Sequence, residues 1–247
     1  MLFLLLATAT VAAVRGMWSP CGLSMLSSLN PVSERARGHR FWATACWYVA
    51  GSVAGGALLG AGCAVGAVIV RRLDVGSDLC WSLILAGAAL SVLSDARVGG
   101  WSLPMHPRQV DDRWLVRYRR WIYAGGFGVQ IGSGFATYIM TAGVYLTALL
   151  AVLTGSARDA LFAGMLFGLV RGASIAAAAV ARDPARLGSL LGRIESRAGA
   201  SALVAGGWLV AAAGAAGWML AGTPLAVAVV VALVALVRLG ARPALAR

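Results

Sequence analysis

Long apolar segments recur along this chain and limit what it can fold into. Seven can be distinguished, and five of them exceed the roughly 18 residues that indicate a membrane-spanning helix. The third and the seventh, at roughly 15 residues each, are short for a span. None shows the apolar–polar alternation of a strand, which favours a helical bundle over a β-barrel. The segments are Leu2–Leu29, Phe41–Val70, Leu79–Leu93, Ile122–Leu153, Ala160–Ala181, Ser201–Ala221 and Leu225–Leu239.

The composition agrees with a protein that lies mostly in a lipid bilayer. Of the 247 residues, 60% are hydrophobic and only 12% are charged, and the mean hydropathy is +0.81. A soluble domain of this size could not cover so much apolar surface. We therefore predict an all-α, polytopic membrane bundle of about seven spans, organised as one integral membrane domain over residues 1–247.

The basic residues predict the orientation of the spans. The net charge of +12 comes from arginine alone. Arginines cluster after the first, third, fifth and seventh segments, whereas the other connections are neutral or balanced by aspartates. The positive-inside rule then predicts a multi-pass protein of the cell membrane, with its N-terminus outside and its C-terminus in the cytoplasm. This placement between apolar segments argues against nucleic-acid binding, and we expect the first segment to remain as an uncleaved span.

A helix break is predicted inside the first segment, at Ser19-Pro20-Cys21. Proline removes a backbone donor and clashes with the preceding turn, so Pro20 should interrupt the helix. Within a bilayer, such a break is tolerated only where protein or a water-filled cavity satisfies the freed backbone groups. The break and its cysteine are therefore a candidate functional centre.

A second break is predicted in the fourth segment, at the paired glycines Gly132 and Gly134. When Gly16 is aligned with Gly132, Cys21 falls opposite Thr137. Two halves of opposite orientation with interrupted leading helices are typical of inverted-repeat membrane proteins. The half-repeats would cover residues 1–98 and 121–221, followed by an additional C-terminal span over residues 224–239.

Three features together resemble one known family: Ser19-Pro20-Cys21 in a first span, the glycine-rich segment in the fourth, and a small chain that lies almost wholly in the membrane. It contains the cytochrome c biogenesis protein CcdA and the transmembrane domain of the thiol transporter DsbD. The resemblance implies a disulfide between two membrane cysteines and electron transfer to thioredoxin-like partners. The chain departs from the pattern because Thr137 stands at the position of the second cysteine.

The four cysteines form two sets by predicted depth. Cys21 and Cys46 lie at similar depths near the inner ends of their spans, so they are the candidate catalytic pair. Cys63 and Cys80 both fall in the outer half and form a candidate secondary thiol pair. The alternative is that each cysteine is a small buried apolar residue within a helix.

Two arginines, Arg15 and Arg171, fall inside predicted spans and near one depth. A buried arginine is costly, and neither has a carboxylate within a span to neutralise it. They are candidates for an anion-binding site, or for a positive field that favours the thiolate of Cys21. Alternatively, they bond carbonyl groups freed at the helix breaks, or extend towards the membrane surface.

No metal site or cofactor is predicted. The chain has no Cys-x-x-Cys motif, and His39 and His106 fall in loops. The leading functional hypothesis is transmembrane thiol–disulfide electron transfer, as the family resemblance implies. The alternatives are a transporter for a small anion or metabolite, with Gly132 and Gly134 as its hinge, and a structural membrane subunit without chemistry.

Overall fold

A computed structural model of the protein describes residues 1–104 and 113–240, and the regular elements within these ranges are all helical. This confirms the predicted all-α class. Three short 3₁₀ turns accompany the α-helices, at Gly16–Trp18, Val98–Gly100 and Ser174–Val180. The helices are α1 (Leu2–Arg15), α2 (Pro20–Ser28), α3 (Pro31–Ala36), α4 (Phe41–Arg72), α5 (Ser77–Asp95), α6 (Trp114–Arg117), α7 (Arg120–Gly132), α8 (Gly143–Leu153), α9 (Ala157–Ala173), α10 (Pro184–Ser196) and α11 (Ala198–Gly240).

Four stretches of the described chain are long and apolar enough to cross a membrane. They are α4, α5, α9 with its 3₁₀ extension, and α11 as far as Arg238. A fifth is reached if α1 and α2, which are bent by 65° at their junction, count as one span. The helices fit a membrane protein, but they do not confirm the count of seven. One reason is that the fourth apolar segment is divided into α7 and α8, each too short to span alone.

The 32-residue helix α4 is the centre of the bundle, with α7, α8 and α9 packed against it. The backbones approach so closely that a β-carbon on Gly56 would lie 2.2 Å from the carbonyl oxygen of Gly164. Helices in membranes associate through small residues of this kind. The contact glycines are Gly51, Gly55, Gly56 and Gly60 on α4, Gly128 and Gly132 on α7, and Gly164 and Gly168 on α9.

Substituting Gly56 with alanine should destabilise the bundle, because the new methyl group would have to separate α4 from α9. We expect a loss of about 1–3 kcal/mol, the range for overpacked interiors. Gly62 is the matched control, since it lies on the same helix and a β-carbon there meets no atom within 4 Å. Thermal unfolding of the purified protein in detergent should show a lower midpoint for Gly56→Ala and not for Gly62→Ala. Equal midpoints would contradict the close packing.

The first helix break is at Ser19, which has an extended backbone (φ −69°, ψ 152°) between the Gly16–Trp18 turn and α2. The Ser19 hydroxyl accepts the N–H of Gly22 at 3.1 Å and donates to the carbonyl of Gly16 at 2.7 Å. Pro20 occupies the first position of α2, where its missing N–H would have had no partner in the helix. The Ser19 side chain therefore pairs backbone groups on both sides of the interruption.

The second break separates α7 from α8. Helix α7 ends at Gly132, and Gly134 adopts a positive φ of 73° that favours glycine. The two helices pack along successive parts of α4, since Gly132 abuts Ser52 whereas Gly66 abuts Val152. The fourth apolar segment thus packs alongside α4 as an interrupted helix.

Helix α11 is interrupted at Ala221 and Gly222, where the backbone leaves the helical region. A β-carbon on Gly217 would lie 3.4 Å from the Cα of Ala226, whereas nine residues of straight helix extend about 13.5 Å. The chain therefore folds back on itself. We call residues 198–220 the first arm of α11 and residues 223–238 the second arm.

Candidate functional site

Arg171, in the last turn of α9, is a charged residue that is buried and incompletely hydrogen-bonded. The residue is only 4% exposed. Its guanidinium lies against Gly16, at the first helix break, where a β-carbon would come within 1.5 Å of Nη1. It also lies over the ring of Phe167, with 5.9 Å between the guanidinium carbon and the ring centroid. Glycine at position 16 is thus what makes room for the charged group.

The Nε and Nη2 atoms of Arg171 have no hydrogen-bond partner among the described residues. These atoms carry three of the five N–H groups of the side chain. Thr137 Oγ1, in the second break, is the other buried side-chain atom without a partner in the described ranges. Buried polar groups in proteins are normally paired, so such exceptions commonly mark a bound water, an ion or a functional group.

The first helix break lies against this guanidinium, and the second lies against the Phe167 ring that the guanidinium covers. Cys21 and Tyr48 are within electrostatic range of it, and both are buried. From the second break, Gly134 approaches the same aromatic ring, since a β-carbon there would lie 3.1 Å from Phe167 Cε1. We call Gly16, Cys21, Tyr48, Phe167 and Arg171 the arginine centre.

Arg15 lies in a different environment from Arg171. It donates from Nη1 to Ser201 Oγ at 2.6 Å and to the carbonyl of Ala198 at 3.4 Å, both at the start of α11. Asp95, at the end of α5, lies within electrostatic range and provides a nearby carboxylate. Arg15 lines a cavity of about 720 Å³ together with Asp95, and Arg171 does not contribute to the lining. Arg171 therefore does not share this cavity with Arg15.

The four cysteines are distributed between surface and core. Cys21 is buried beside Met25 in one apolar cluster, whereas Cys46 is exposed on α4. Cys63 and Cys80 are both buried in a second apolar cluster. The Cys80 thiol contacts the carbonyl of Val75 at 3.9 Å, which is a weak hydrogen bond. In this arrangement three of the four cysteines pack as small apolar core residues.

A buried carboxylate that the sequence analysis did not single out joins α3, α4 and α7. Glu34 is completely buried, and its carboxylate accepts from Arg37 Nη1 at 2.8 Å and from the Tyr123 hydroxyl at 3.2 Å. The Thr44 hydroxyl donates to the second oxygen. Asn30 caps the same short helix by accepting from the N–H groups of Val32 and Ser33. The Asn30-Pro31 pair is a helix-start signal that could have located α3, but nothing in the sequence indicates that Glu34 is buried.

Within residues 1–104 and 113–240, no group of three or more histidine, cysteine, aspartate or glutamate side chains could hold a metal ion. His39 lies in the turn between α3 and α4. His106 lies outside the described residues.

Comparison with known proteins finds relatives over most of the chain. The methylamine utilization protein MauF of Paracoccus versutus is 31% identical over 209 residues, which cover 83% of this chain and 73% of the relative. MauF of Paracoccus denitrificans is 30% identical over 195 residues, covering 78% and 69%, respectively. MauF of Methylorubrum extorquens is 30% identical over 156 residues, covering 62% and 54%. No protein-family model matches the chain, and no solved structure matches it.

These relatives overturn the resemblance to CcdA and DsbD, which was wrong. The functions derived from the sequence, thiol–disulfide electron transfer and small-anion or metabolite transport, are wrong as well, because the relatives are named for methylamine utilization. The resemblance rested on a tripeptide and a glycine-rich segment. Proline and glycine serve to interrupt a helix in any membrane protein, so they carry little information about the reaction.

Proposed function

Because the chain belongs to the MauF family of methylamine utilization proteins, we propose that it acts in methylamine utilization as an accessory protein embedded in a membrane. The observation that carries this proposal is the 31% identity to the Paracoccus versutus protein over 83% of the chain. The apolar helices α4, α5, α9 and α11 support the membrane location. The arginine centre supplies a buried charge within the apolar bundle.

In this proposal Arg171 binds an acidic group of a ligand or a partner. Its two unpartnered atoms, Nε and Nη2, form one edge of the guanidinium, and that edge matches the two oxygens of a carboxylate or a similar oxyanion. The charge lies in an apolar environment where an ionic hydrogen bond is strong. Binding of an acid is thus the chemistry that the unpaired groups favour.

The finer topology is part of the same proposal. We place seven spans in the cell membrane, with the N-terminus outside and the C-terminus in the cytoplasm, in one domain with half-repeats at residues 1–98 and 121–221. The interrupted pairs α1/α2 and α7/α8 would be the leading helices of the two halves. The second arm of α11, which folds back on the first, would be the additional C-terminal span.

Deletion of the gene from its host should abolish growth on methylamine as the sole growth substrate. A plasmid copy should restore that growth, and growth on a substrate unrelated to methylamine should be equal in all strains. Growth curves of parent, deletion and complemented strains provide the measurement. A deletion strain that grows on methylamine as fast as its parent would refute the proposed role.

A further inference from the structure

A cavity of about 720 Å³ lies between α5 and the two arms of α11. This volume is within the range of 300–1,000 Å³ that is typical of small-molecule sites. Its walls are mainly apolar, and it contains three charged residues. Apolar wall residues include Val92, Leu203, Val210 and Val234, and the charged residues are Arg15, Asp95 and Arg238. We call this cavity the α11 groove.

The charges lie together at one end of the groove. Asp95 is the last residue of α5, and Arg238 lies near the end of the second arm of α11. Arg15 bonds to Ser201 at the start of the first arm. Arg238 is exposed and makes no hydrogen bond or ion pair within the described residues. Two arginines against one aspartate leave a net positive charge, with Arg238 available for an anion.

The apolar part of the groove is long and open. Along the first arm it extends from Gly199 to Val210, which is about 16 Å of helix. A β-carbon on Gly206 or Gly207 would meet no atom within 4 Å, so the wall is recessed at these positions. A free inorganic anion would occupy only the charged end and leave this apolar length unfilled. The groove requires an occupant with both an acidic head and an apolar tail.

We propose that the α11 groove binds one acidic phospholipid, with the phosphate at Arg15 and Arg238 and an acyl chain along the first arm. Basic pockets between membrane helices commonly bind acidic lipid head groups. The exposed apolar surface of α11, which includes Leu203 and Val231, would let a lipid enter sideways from the bilayer. The site is separate from the arginine centre, and its test does not depend on methylamine growth.

Native mass spectrometry of the full chain in detergent, with added phosphatidylglycerol or phosphatidylcholine, tests this assignment. We expect one phosphatidylglycerol to be retained in preference to phosphatidylcholine. Arg238→Gln should weaken its retention about fivefold, the effect of one basic residue near an acidic lipid surface. Gly207→Leu should fill the recess and reduce retention of both lipids.

Matched controls lie elsewhere on the molecule. Arg72→Gln removes an exposed arginine at the end of α4, and Gly62→Leu adds a side chain where a β-carbon meets no atom within 4 Å. Both should retain phosphatidylglycerol as the wild type does. Equal retention of the two lipids by the wild type would overturn the proposal, as would groove variants that behave like the controls. Displacement of phosphatidylglycerol by millimolar inorganic phosphate would instead indicate a simple anion site and also overturn it.

Discussion

Substitution of Arg171 with methionine should abolish growth on methylamine and leave the protein at least as stable as the wild type. The guanidinium is buried with unpartnered Nε and Nη2 atoms, so the folded state bears an uncompensated cost of charge burial. Even buried ion pairs can often be replaced with apolar side chains of similar size at no cost, or with a gain of about 1–4 kcal/mol, and Arg171 makes no ion pair within the described residues. Growth assays and thermal unfolding in detergent measure the two expected effects separately.

Two further variants make the Arg171 experiment specific. Arg171→Lys keeps the charge and loses the planar two-atom edge, so we expect growth well below that of the wild type. Arg158→Met removes an exposed arginine from the first turn of the same helix and should leave growth unchanged. Wild-type growth of Arg171→Met would eliminate the acid-binding role. A strongly destabilised Arg171→Met protein would show that the arginine instead holds the helix breaks together.

Substitution of Glu34 with alanine should cost about 1–3 kcal/mol of folding free energy, the range for leaving buried hydrogen-bonding groups without their partner. The change leaves Arg37 without its carboxylate and removes the acceptor of the Thr44 and Tyr123 hydroxyls. It also disconnects α3 from α4 and α7. A large decrease in the thermal unfolding midpoint is the expected result.

A graded series tests the explanation for Glu34. Glu34→Gln keeps one acceptor oxygen and most of the side-chain volume, so it should lose less folding free energy than Glu34→Ala. Glu195→Ala removes an exposed carboxylate from α10 and should change stability by less than about 0.5 kcal/mol. If Glu34→Ala unfolds at the same temperature as Glu195→Ala, the buried network contributes nothing to stability.

Features that depend on local sequence were predictable. The apolar segment Phe41–Val70 corresponds to α4, which begins at Phe41 and ends at Arg72. Its length follows directly from the run of apolar residues, because few polar groups interrupt it. The interruption beside Pro20 likewise follows from the chemistry of one residue, since proline cannot continue a helix from the preceding turn. Neither inference needs knowledge of the neighbouring helices.

Features that depend on direction around a helix axis were not predictable. Counting residues placed Arg15 and Arg171 near one depth, but depth does not determine which neighbour a side chain faces. Arg15 turns towards α11, whereas Arg171 turns towards Gly16. The burial of Glu34 has the same origin, because it requires α3 to fold back against α4 and α7. Tertiary packing therefore decided the site, and single-sequence patterns do not encode it.

The glycine contacts of α4 also have a consequence for biosynthesis. Gly56 packs against Gly168, and 112 residues of chain separate them. At typical rates of synthesis, Gly56 is made on the order of 6–22 s before its partner Gly168 on α9. During that interval the surface around Gly56 has no α9 to pack against and is available to other helices. The close α4–α9 interface therefore cannot form when α4 is made, and synthesis is the stage at which incorrect helix pairing competes with it.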